Sequence, residues 1–107
     1  MTEPSVETDL AKKVSSTLND LIDEETKRKF GELNVVTAVE ETSPGSFKIR
    51  FRSLSPYSPL AVDVGREIRR SALSVSGVRA VEVESTGHMM DDLINRLVNV
   101  EAKPQVK

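Results

Sequence analysis

Apolar residues repeat at helical spacing in three stretches of this chain and at strand spacing in two others. Leu10, Val14, Leu18, Leu21 and Ile22 mark one face of a helix. Lys27, Arg28 and Lys29 follow, where cations suit the negative end of a helix dipole, and Gly31 can supply a left-handed cap. The spacing predicts a helix over residues 8–29. Leu33–Glu41 is rich in Val and Thr and reads as a strand. After the turn signal Ser43-Pro44-Gly45-Ser46, Phe47, Ile49 and Phe51 alternate with Lys48, Arg50 and Arg52, as in a half-buried strand. Leu60, Ala61, Val64, Ile68 and Ala72 form a second helical stripe, ended by Ser76-Gly77. In Val78–Glu84, Val81 and Val83 alternate with Glu82 and Glu84, predicting a third strand. Met90, Leu93, Ile94, Leu97 and Val98 mark a last short helix, with Asp91 and Asp92 near its positive end.

The predicted order is helix, strand, strand, helix, strand, helix. A short turn between the first two strands implies an antiparallel hairpin, and a strand, a helix and a strand imply a right-handed parallel crossover. The fold expected is α+β, a small three-stranded mixed sheet with helices packed on one face. Residues 8–99 make a single domain, with a flexible N-terminus at 1–7 and a polar tail at 100–107.

Composition narrows the chemistry. The 107 residues carry a formal net charge of -2, which gives no global attraction to nucleic acid or a membrane surface. There is no cysteine, so disulfides and thiolate metal sites are excluded. No apolar run approaches the ~20 residues that span a bilayer, and Met1-Thr2-Glu3-Pro4 lacks the features of a signal peptide. A cytoplasmic protein with no membrane partner is the expectation.

The chemistry converges on Leu54-Ser55-Pro56-Tyr57-Ser58-Pro59, where a strand ends and a helix begins. Ser58 suits an N-cap and Pro59 the first helical position. Ser-Pro-Tyr-Ser-Pro-Leu-Ala-Val, a helix, and then Ser-Gly-Val-Arg-Ala-Val-Glu-Val resembles the iron–sulfur (metal–sulfur) cluster assembly domain of the SufT, PaaD and MIP type, also called domain of unknown function fifty-nine. That family has the same element order, a Thr/Ser-x-x-Cys-Pro turn at a helix start, and an Asp-Pro-Glu motif after its first helix. Ser58 stands at the family cysteine, and Asp23-Glu24-Glu25 at the acidic motif, with Glu24 replacing the proline. Asn34 replaces a family glycine. The resemblance implies a non-enzymatic adaptor or scaffold that meets client or assembly proteins of the iron–sulfur pathway. A serine hydroxyl is a poor ligand for soft metals, so no cluster is expected through Ser58.

Ser55, Pro56, Tyr57, Ser58 and Pro59 form the loop at the family-cysteine position. By resemblance, Asp23 and Glu25 are an acidic second site; on composition alone they sit in a solvated charge run with Lys27–Lys29. Lys48, Arg50 and Arg52 line one strand face and offer a phosphate-binding surface, the basis of an alternative reading as a nucleic-acid-binding module. Phe47 and Phe51 point away from that face, so it has no stacking platform, and Glu82 and Glu84 can neutralise it. Ser58 with His88, the single histidine, forms the last-ranked alternative, a serine hydrolase without an elbow motif or an identifiable orienting acid. His88, Asp91 and Asp92 share helical spacing that could hold a divalent ion weakly; dipole-favoured acids explain the two aspartates more simply. Met89 and Met90 read as core or groove filling. No resident metal or cofactor is implied.

Overall fold

The computed structural model describes residues 8–100. The expected loose segment at 1–7, and residues 101–107 of the expected polar tail, lie outside the described residues. The elements are α1 (Asp9–Asn19), α2 (Phe30–Leu33), β1 (Val36–Ser43), β2 (Ser46–Arg52), α3 (Ala61–Leu73), β3 (Ala80–Thr86) and α4 (Asp91–Val98). The sheet runs β1-β2-β3, with β1 antiparallel and β3 parallel to the central β2. This is the expected α+β fold with a mixed three-stranded sheet. Phe47, Ile49 and Phe51 on β2 are almost fully buried and face Val14, Leu18, Ile68, Ala72, Ile94 and Val98 of the helices. Burying one such side chain contributes about 1.5–3 kcal/mol, so the period-two pattern on β2 anchors the core.

The first helix is half its predicted length. It starts at Thr8, whose side chain accepts from the Ala11 N–H, and it stops at Asn19 rather than residue 29. Asp23 competes with the helix: its Oδ2 accepts from the Thr26 N–H at 2.8 Å and the Thr26 hydroxyl at 2.9 Å, closing a turn. Lys27 takes a left-handed φ of 64°, and Ile22 pairs with Lys29. Leu21 still packs on the core and so keeps the helical period, but Ile22 is half exposed. The left-handed cap is Asn34 (φ 54°), which ends the unexpected α2; Gly31 lies inside that helix. Strand β1 therefore begins at Val36 instead of Leu33, and β3 spans 80–86 instead of 78–84.

Gly65, in the middle of α3, marks a close approach. A Cβ there would sit 2.6 Å from Val98 Cγ1 and 3.2 Å from the Phe51 ring, so α3 meets α4 and β2 only because a hydrogen is present. Gly45 has φ 81° in the β1–β2 turn, and its carbonyl accepts from the N–H groups of Arg79 and Ala80. The hairpin turn is thereby tied to the entry of β3.

The free edge of β3 is closed by side chains. Asn99 Oδ1 accepts from the Val83 N–H and its Nδ2 donates to the Val83 carbonyl, each at 2.8 Å, so one amide stands in for a neighbouring strand. Asn95 Oδ1 accepts from the Ser85 N–H at 2.6 Å, and Arg69 Nε donates to the Val81 carbonyl at 3.1 Å. An uncovered edge would template pairing with another chain, and unpaired buried groups are costly. Asn99→Ala is expected to lower folding stability by about 1–3 kcal/mol in a urea titration, the cost of orphaning the Val83 backbone groups; Asn99→Asp keeps the acceptor, loses the donor and should be at least as damaging.

Candidate functional site

The Ser55–Pro59 loop is held on one side by the segment that follows β3. Ser53 N–H donates to the Thr86 carbonyl at 3.1 Å, and Met89 N–H donates to the Pro56 carbonyl at 2.9 Å. His88 completes the brace. Its Nδ1 accepts from the Met90 N–H at 3.0 Å, which leaves Nε2–H to donate to the Ser58 carbonyl, also at 3.0 Å. Within the loop, the Tyr57 N–H donates to Ser55 Oγ and the Ser58 N–H to the Ser55 carbonyl. Tyr57 stands at the crest, 73% exposed.

Two expectations change here. Ser58 is not the helix cap, and Pro59 is not the first helical residue. The cap is Leu60, with no side-chain bond, and α3 begins at Ala61. The His88 brace and the Ser55 turn fix residues 55–59 as a loop before helical geometry starts. Nor do Ser58 and His88 form a nucleophile–base pair: the imidazole meets the Ser58 carbonyl, and both ring nitrogens are engaged by backbone. Asp91 does not orient that ring. Its Oδ1 accepts from the Ser85 hydroxyl at 2.6 Å and from the His88 N–H at 3.2 Å. Among the described residues, no group of three His, Asp or Glu side chains is arranged to hold a metal ion.

Ser58 shares a cleft with the acidic motif. Asp23, Glu25, Arg52, Ser53, Leu54, Ser58 and Leu60 line a cavity of about 20 Å³ above Val35, Phe51 and Ala61. Asp23 is only 5% exposed, while Glu25 is open to solvent, so the pair is not the evenly solvated charge run that composition suggests. Ser53 Oγ is buried in this region with no hydrogen-bond partner among the described residues. The cavity is the size of one water molecule, and its donors are oxygens and a guanidinium. A soft iron–sulfur cluster fits neither the volume nor the donor set. Beside it runs a larger groove of about 190 Å³, walled by Asp23, Glu24, Asp63 and Glu67 over Ile22, Phe30, Leu60 and Val64. Asp63 and Glu67 were not among the sequence candidates. They occupy the polar face of α3, and only the bend at residues 20–29 brings that face opposite the acidic turn.

The cationic strand face is already balanced. Glu84 Oε1 lies 2.9 Å from Arg50 Nε and 3.8 Å from Lys48 Nζ. Arg52 donates instead to the Asn34 and Leu33 carbonyls at 2.9 and 2.6 Å, capping the C-terminal end of α2. Glu40 is in register with Lys48, which is itself in register with Glu82, so three carboxylates interleave with the three cations. The hydrogen bond from Arg50 is the main cause holding the Glu84 carboxyl below its ordinary value, with desolvation opposing and the charges of Arg50 and Lys48 adding. No helix among the described residues is long and apolar enough to cross a membrane.

Two measurements check these contacts. His88→Ala should speed amide exchange across residues 55–60 by about tenfold, since a brace of one or two hydrogen bonds at about 1 kcal/mol each is removed; exchange unchanged in that loop would show the brace is idle. Because the folded-state Glu84 carboxyl is more acidic than in the unfolded chain, its contribution is present above the unfolded carboxylate range and is lost as pH falls through the folded value. Glu84→Gln should therefore lower the urea midpoint slightly at pH 7, with the gap to wild type closing as pH falls below the ordinary carboxylate range. The effect is small because both partners remain substantially exposed.

No protein-family model matches the chain, and no curated protein matches it. Among solved structures it is similar to a domain of unknown function, DUF59, from Bacillus anthracis, with a TM-score of 0.65 and 23% identity over 72% of this chain and 74% of that one. The two share a fold, the one that the Leu54–Val83 residues led the sequence to resemble.

Proposed function

We propose that this chain is a non-enzymatic adaptor related to iron–sulfur cluster assembly, one that meets client or assembly proteins without holding a cluster at Ser58. The observation that carries the reading is the Ser58 cleft itself. A loop of the family's pattern, on the family's fold, is braced at Pro56 and Ser58 and set beside Asp23 and Glu25, with a hydroxyl where the family has a thiol. What such a loop keeps is shape: two prolines, an exposed tyrosine and a fixed backbone. A pre-ordered loop loses little entropy on docking, which suits recognition. The acidic groove beside it favours a client segment carrying Lys or Arg. The interleaved charges on the sheet leave no bare cationic stripe for a phosphate backbone, so the nucleic-acid alternative has no observation in its favour.

Anaerobic reconstitution with iron and sulfide tests the reading. The wild-type chain should show no stoichiometric cluster absorbance after desalting, whereas apo iron–sulfur proteins should be retained on the immobilised wild-type chain and released when Tyr57 and Ser58 are both replaced by Asp. A stoichiometric cluster on the wild-type protein, or no retention of any apo iron–sulfur protein, would sink it.

A further inference from the structure

The exposed apolar side chains of this molecule are not scattered. Of the eight large hydrophobics exposed among the described residues, five fall between Met89 and Val100: Met89 (65%), Met90 (50%), Leu93 (40%), Leu97 (37%) and Val100 (62%). Two more, Leu54 and Tyr57, belong to the loop whose Pro56 carbonyl is bonded to Met89. An apolar concentration of this kind marks an interaction surface.

Its spacing says what fits. Leu93 and Leu97 lie four apart on α4, one apolar row, the seam along which a second helix can pack, and Met90 and Val100 flank that row just before the helix starts and just after it ends. The seam is separate from the core row of α4, Ile94 and Val98, which is buried against the sheet. Flanking it is a row of opposite charges, Asp92 and Arg96, both exposed and forming no ion pair among the described residues. Asp92 lies toward the start of α4 and Arg96 toward its end. If two copies of α4 pack antiparallel about a two-fold axis near Asn95, Leu93 meets Leu97 of the other copy, with Met90 and Val100 at the two ends of the contact. The same axis carries Asp92 of each copy to the side of Arg96 on the other. Apolar seam and charge row are thus both self-complementary under one operation, as an isologous contact requires. A groove of about 420 Å³ lined by His88, Met89, Met90, Asp92, Leu93 and Arg96 lies at the seam's start and leaves room for an apolar side chain of the other copy.

We infer that the Met90–Val100 face is a homodimer interface, formed by α4 against α4 of a second copy. The contact is short, two helical turns, so the dimer is reversible and weak, as expected of an interface below about 1,200 Å². Such a dimer places two Ser55–Pro59 loops on one particle.

Sedimentation equilibrium of the full 107-residue chain across a concentration series tests it. The expected result is a reversible monomer–dimer equilibrium. Leu97→Glu should raise the dissociation constant by ~100-fold, as for a buried interface anchor, while circular dichroism shows an unchanged fold. Asp92→Arg and Arg96→Asp should each weaken the dimer by about 2- to 5-fold, and the double exchange should recover most of the loss. A wild-type chain that stays monomeric at every concentration overturns the inference. So does a dimer indifferent to Leu97→Glu. Shortening the chain after Val100 identifies the alternative occupants: a monomer that begins to dimerise would assign the face to residues 101–107 of the same chain, and a monomer in both forms would leave it to a different protein. Either of those outcomes also overturns the proposal.

Discussion

The contact on which the rest of this small fold depends is the amide of Asn99 against the edge of β3. A three-stranded sheet has two edges, and here one strand, β3, must also receive the crossover from α3 and launch the last helix. Its outward backbone groups at Val81, Val83 and Ser85 meet Arg69, Asn99 and Asn95 in turn. The Asn99 amide also reaches the Asn95 carbonyl, so the pincer is fixed by the helix that carries it. Once α4 is pinned this way, the Asp91 carboxylate falls on the Ser85 hydroxyl and on the His88 N–H. His88 is then placed to hold the Ser58 carbonyl. The candidate site is thus positioned from the sheet edge through α4, not from the start of α3 that follows it in sequence.

That order of dependence makes the loop's shape independent of the residue-58 side chain. Neither the Pro56–Met89 bond nor the Ser58–His88 bond involves the residue-58 side chain. The loop's shape is a backbone property and survives with serine. What serine does not offer is a soft ligand, since an alcohol is a harder and far less acidic donor than a thiol. Shape and ligand chemistry are separable properties of one turn: the backbone fixes the former and the residue-58 side chain the latter.

Legibility in the sequence followed the range of the interactions involved. The alternation of Phe47, Ile49 and Phe51 with cations depends only on which face of β2 meets the core, and the sheet could be read from it. The α3 stripe and the short Pro44-Gly45 turn are equally local, and with them came the topology. The helix predicted through residue 29 failed because Leu21 lands on the core in either conformation, while the Asp23–Thr26 turn depends on a carboxylate choosing a nearby N–H over solvent. The Ser58 cap failed for a similar reason. Ser-Pro is sound capping grammar, but a histidine thirty residues away outweighs it. Asn95 and Asn99 carried no signal at all, since an asparagine pair four apart on a helix is ordinarily solvated, and only a strand edge alongside gives both amides work. The groove acids Asp63 and Glu67 were hidden likewise, behind a bend that no period announces.

Residues 92–99 gather these constraints into eight positions. Read as rows four apart, they are Asp92 and Arg96, Leu93 and Leu97, Ile94 and Val98, Asn95 and Asn99. Neighbouring rows lie about 100° apart around a helix, so four rows cover its circumference. The Ile/Val row fills the core, with Val98 in the space that Gly65 leaves open. The asparagine row closes the sheet edge. Both are spent on the fold. A helix bound on two sides by its own domain would ordinarily turn polar residues outward on the remaining two, because exposed leucine gains nothing in water. This helix puts charges on one and leucines on the other. Two tightly held rows also mean that the leucine row cannot rotate inward without breaking the Val83 and Ser85 bonds. The outward leucines are therefore fixed in place by the same contacts that hold the loop, and the apolar seam is as rigidly presented as Ser58 itself.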